Sequence, residues 1–150
     1  MDREGIRYFV KYRVDSDKIF VKLSQGDLII ESLLSIATIE KLTSGWINGI
    51  GAVNFAELGF YDFHHQKYFK KQFSGDYEIN NITANIAMKD GVPFIHAHIT
   101  IGDMDFNVSG GHLFEGRISA AGEFVILPGS IPIDRIMDDH VGLALWSLGD

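Results

Sequence analysis

The sequence predicts an α+β fold built on a largely antiparallel sheet. Alternating polar and apolar stretches rich in β-formers recur along the chain, one stretch at about 27–44 repeats its apolar residues at helical spacing, and strands do not take turns with helices as in a parallel fold. The 150 residues suit a single domain with a core of its own.

Residues 7–14 alternate as a half-buried first strand, 15–17 turn, and 19–23 form a short second strand. Ser24 or Asp27 can then accept the free amides of a helix start. Through the helix, Ile30, Leu33, Leu34, Ala37 and Leu42, with Leu28, Ile29, Ile36 and Ile39 beside them, make a wide apolar stripe suited to packing across a sheet. Lys41 suits the last turn, and Gly45 can take the left-handed conformation that ends it.

Residues 46–62 carry closely spaced glycines among apolar residues and read as bulged strand and turn; Gly49-Ile50-Gly51 is not followed by a helical pattern, which removes a nucleotide-loop reading. His64-His65 lies in a polar turn, with its two side chains directed apart at the surface. Strands follow at 68–73 and 77–88 around a Gly75-Asp76 turn, then a hairpin beginning at Pro93, a strand at 117–127, and an apolar tail that packs back on the core.

Composition sets limits on chemistry. The chain has no cysteine, so disulfides, thiol catalysis and cysteine zinc sites are excluded and a soft-metal site has to use histidine. No run reaches the roughly 18 apolar residues of a membrane span, and the first residues lack the apolar centre of a signal peptide, so the expectation is a soluble, cytoplasmic protein without a membrane partner. A net charge of −7 opposes direct binding to duplex DNA, and the cluster Lys67, Lys70, Lys71 reads as a solvated strand face.

The hairpin carries the chemistry. Side chains alternate across a strand, so Ile95, Ala97, Ile99 and Ile101 share one face and Phe94, His96, His98 and Thr100 the other. A three-residue loop, Asp103 to Asp105, sets His98 opposite Gly110 and His96 opposite His112, which brings three imidazoles to one face. A two-residue loop shifts the register by one and sends His112 to the other face, unless a bulge at Gly110-Gly111 restores it. On one face the three can meet on one metal ion; otherwise His96 and His98 are a polar pair on a strand.

An ordered set of features resembles the plant and prokaryote conserved (PPC) domain: Gly49 to Ala52, Leu58 to Asp62, Tyr68, Gly75 to Ile79, Asn85 to Ala87, Pro93 to His98, Gly110 to Leu113, Glu123, and Arg135 to Asp138 before Gly142-Leu143. The resemblance implies an antiparallel sheet with flanking helices, assembly as a homotrimer, and a metal site at His96, His98 and His112. Prokaryotic members are often described as predicted DNA-binding proteins, whereas the plant proteins add an Arg-Gly-Arg-Pro anchor that this chain lacks. Asp76 and Asn80 stand where the plant segment for transcription-factor contacts favours arginine and leucine.

The leading functional reading is therefore a trimeric binding and assembly module with a three-histidine divalent-metal site, zinc by ligand type, and a small-molecule or protein ligand. One alternative is a metal-dependent hydrolase using zinc-bound water, with Glu78 as the preferred general base and Glu57 or Glu123 behind it. Another is transcription-related DNA binding. No nucleophilic serine elbow is present in the sequence.

Overall fold

The computed structural model describes residues 10–149. Its elements run β1 (Lys11–Asp15), β2 (Lys18–Ser24), α1 (Ile29–Ile39), β3 (Gly45–Asp62), β4 (Lys67–Lys89), β5 (Val92–Gly102), β6 (Val108–Pro128), β7 (Asp134–Asp138) and β8 (Leu143–Ser147). The strands form one sheet in the order β1-β2-β6-β3-β4-β7-β8. β5 pairs with both β4 and β6, so β3, β4, β5 and β6 close a ring. All ladders are antiparallel except one parallel bridge, Met88 to Asp134.

The sheet is predominantly the antiparallel one expected, but its strands are longer. β4 runs unbroken through Gly75-Asp76, where a turn was expected: Val53 faces Tyr77 and Phe55 faces Ser74, so β4 takes up one extra residue there. Gly75 absorbs it with φ +117, a bulge in place of a turn. Further shifts between Gly49 and Gly51 and between Ile79 and Asn81 bend the long strands and let the ring close. The strand expected at 117–127 likewise lies within a longer one, β6, which begins at Val108 as the second arm of the hairpin. Of the expected first strand, residues 7–9 lie outside the described residues, and β1 begins at Lys11.

The helix is shorter than 27–44. It spans Ile29–Ile39 and buries Ile29, Leu33, Ile36 and Ala37 completely against the sheet. Lys41, at φ 53, takes the left-handed position expected of Gly45, while Leu42 N–H donates to Ala37 O to finish the turn. Gly45 opens β3 instead. Asp27 accepts the Ser24 amide within the preceding turn, and neither residue caps the helix. That role falls to Glu115 of β6, whose carboxylate accepts the amides of Ile30 at 2.9 Å and Glu31 at 3.2 Å. Among the described residues α1 is the one α-helix, without the minor flanking helices expected, and the apolar tail forms β7 and β8.

Candidate metal centre

β5 and β6 are joined by a five-residue loop, 103–107, where a three-residue loop was expected. The Asp103 carboxylate holds the loop by accepting the amides of Asp105 and Asn107, and Phe106 adopts φ 64. Two extra residues slide the register so that His98, not His96, faces His112, with Ile99 opposite Gly111 and Thr100 opposite Gly110. An even shift preserves the face of every side chain, so His112 still joins the other two. The Gly110-Gly111 pair is in register with β5, not a bulge against it.

One ligand nitrogen from each of His96, His98 and His112 lies within 4.8 Å of the others. The ring centroids are 5.0 Å apart for His96 and His98, 5.2 Å for His96 and His112, and 5.7 Å for His98 and His112. His98 is exposed and the other two are half-buried. Burial, reinforced by Arg135 and His98, lowers the His96 pKa to about 4. Burial likewise lowers His112 to about 4, with His96 and His98 the next causes and Lys70 and Arg135 behind them. Both imidazoles are thus neutral at pH 7, the form that ligates a metal. The Nδ1 atom of His112 is buried without a hydrogen-bond partner among the described residues. Three imidazoles whose ligand nitrogens lie this close, one with an orphaned nitrogen, fit a tetrahedral ion with a fourth position left over.

The packing that fixes His112 begins with two glycines. A Cβ on Gly111 would stand 2.8 Å from the Gly59 carbonyl, and one on Gly59 would stand 2.5 Å from the Phe114 ring and 2.9 Å from Tyr68. Without side chains there, β3 and β6 approach closely, and Tyr68 and Phe114 close around His112 with centroids at 4.9 and 4.8 Å. Arg135 of β7 lies behind them. Its Nη1 donates to Ala144 O and its Nη2 to Asn85 Oδ1, the residue opposite His96 on β4. Together Tyr68, Phe94, His96, His112, Phe114 and Arg135 line much of a cavity of about 320 Å³.

The carboxylates proposed from sequence are elsewhere. Glu78 faces Ala52 and Gly102, four positions along β5 from His98 and on the order of 13 Å away at strand spacing, and it lines a separate cavity with Asp76 and Met104. Glu123 faces Lys22 and Ile50. Glu57 lies two positions from Gly59 but accepts from Gln72 and Lys70, which together hold its carboxyl below the usual range. The metal-ligating group contains histidine alone. Sequence reasoning missed Tyr68, Phe114 and Arg135 as site residues; Arg135 opens the family-like stretch to Asp138, the one local signal pointing to it.

A closed antiparallel ring with one helix across it and three imidazoles gathered on the face away from the buried isoleucines of β5 defines a β-rich domain with a potential metal site. The chain belongs to the Plants and Prokaryotes Conserved (PCC) domain family, whose profile matches residues 11–130. A candidate DNA-binding protein from Bacteroides thetaiotaomicron is 31% identical, with a TM-score of 0.89 over 92% of this chain and 96% of its own. A metal-containing protein from Archaeoglobus fulgidus is 30% identical, with a TM-score of 0.82 over 92% of this chain and 97% of that one. A plant- and prokaryote-conserved protein from Pyrococcus horikoshii is 26% identical, with a TM-score of 0.82 over 97% and 99% of the two chains. No curated protein matches the chain.

Proposed function

We propose that this protein is a binding and assembly module, trimeric and cytoplasmic, that holds one zinc ion per chain on His96, His98 and His112. The observation that carries the reading is the convergence of three ligand nitrogens within 4.8 Å. It is supported by the low proton affinity of His96 and His112, and by the metal-containing relative from Archaeoglobus fulgidus. Imidazole suits zinc, and three protein ligands leave a place for water or a ligand group. Elemental analysis of protein purified without a histidine tag should find close to one zinc per chain, and His98→Ala should lower that content at least tenfold. Metal-free protein that takes up no zinc on dialysis would sink the proposal.

The leftover coordination position favours a second reading, a hydrolase in which zinc lowers the pKa of its water to about 7. Glu57 and Glu123 are held by other partners or lie elsewhere, and Glu78 is at the far end of the ladder, so the base such an enzyme needs has no candidate within the histidine group. Zinc-dependent turnover of an ester, phosphoester or lactone, absent in His98→Ala, would establish this reading over the module. DNA binding, suggested by the Bacteroides relative, has to overcome a net charge of −7. We expect no salt-sensitive retention on duplex DNA; clear retention near physiological ionic strength would reverse that judgement.

A further inference from the structure

Arg135 is only partly committed to the fold. A guanidinium carries five N–H donors, and two hydrogen bonds, to Ala144 O and Asn85 Oδ1, hold this one. Its Nε is buried and has no partner, and no carboxylate among the described residues forms an ion pair with it. A half-buried cation with an unused donor beside an apolar cavity is an unfinished interaction. His112, whose Nδ1 is also unpartnered, lines the same cavity, whose remaining walls include Phe94, Phe114 and Leu145. Lys89 also lines it, with its ammonium 5.1 Å from the centre of the Phe94 ring.

We propose that this cavity binds a small carboxylic acid as its anion, with the carboxylate on Arg135, the apolar body against Phe94 and Phe114, and the free position of the metal as a second contact. The second contact rests on the three-histidine reading; the Arg135 anchor does not. A carboxylate matches the planar fork of a guanidinium, and the charge-assisted bonds it accepts are about twice as strong as neutral ones. At about 320 Å³ the cavity stands at the lower end of the roughly 300–1,000 Å³ typical of ligand sites, which selects a compact molecule.

Calorimetry tests this with benzoate, its neutral counterpart benzamide, and inorganic phosphate, on zinc-loaded and metal-free protein, with zinc content measured on the same samples. Benzoate should bind at least roughly tenfold more tightly than benzamide or phosphate. Arg135→Gln should abolish that preference, and Arg135→Lys should weaken it, because an ammonium keeps the charge and loses the fork. Equal binding of benzoate and benzamide, tighter binding of phosphate, no binding of benzoate, or a preference unchanged in Arg135→Gln each overturns the carboxylate site. Should Arg135→Gln fail to fold, the wild-type ratio and Arg135→Lys decide. Zinc bound without benzoate rejects this site and leaves the metal centre standing; benzoate bound by protein that takes up no zinc does the reverse.

Discussion

The two half-buried imidazoles give the site a pH signature independent of any metal. His96 and His112 titrate near pH 4 in the folded chain against an ordinary value of 6.5, so on acidification the unfolded chain takes up protons first. Their contribution is complete above about pH 6.5, falls between there and about pH 4, and falls no further once both states are protonated. Metal-stripped protein should therefore melt at progressively lower temperature from pH 7 to pH 4.5. His112→Gln, which cannot titrate, should flatten that slope, and an unchanged slope would show that the imidazole environment is misread. The face shared by His96 and His98 was legible in the sequence because alternation fixes it without knowledge of partners. The site itself was less so: Arg135 reaches it from a strand that touches β4 through one bridge, and Tyr68 and Phe114 reach it through ladders that no local pattern specifies.

Elements here are positioned by contacts remote in sequence, which explains what could be read from the chain and what could not. The helix stripe at Ile29, Leu33, Ile36 and Ala37 was plain because its spacing is local, whereas its start depends on Glu115, more than eighty residues on. Burial raises the Glu115 carboxyl, and the amides of Ile30, Gly116 and Glu31 act in the opposite direction. Glu115→Ala should remove the helix cap and lower stability by about 1 kcal/mol in urea unfolding, within the roughly 0.5–2 kcal/mol range of cap deletions. No change in midpoint would show that water replaces the carboxylate without loss. Glycines were read unevenly. The Gly49 to Gly51 step sits at a bulge, as its spacing suggested, but Gly75 sits at a bulge inside a long strand where a turn was expected, and Gly110 and Gly111 permit close strand approach in register. Five loop residues in place of three likewise changed the partner of His112 while sparing its face.

At the scale of the molecule, the distribution of apolar surface argues for association. Phe60 and Phe69 face each other across β3 and β4 and are 72% and 54% exposed, and Trp46, Ile50, Ile136 and Trp146 are also exposed on the sheet. Single exposed apolar residues are ordinary, but directly paired aromatic rings on a long sheet are a surface that a solitary chain leaves wet. Lysines of that strand pair turn to groups of the same chain, Lys67 with its ammonium 5.1 Å from the centre of the Phe69 ring and Lys70 toward Glu57 and the Phe114 ring. Covering such surface in a closed cyclic assembly removes the liability without a second kind of chain, in keeping with the trimer expected from the family resemblance. Light scattering should give three times the chain mass. Since association stabilises only the folded form, the melting temperature should also rise with protein concentration. A mass of one chain at micromolar concentration, with a melting temperature independent of concentration, would show that the paired aromatics stay exposed and that assembly is no part of this protein's function.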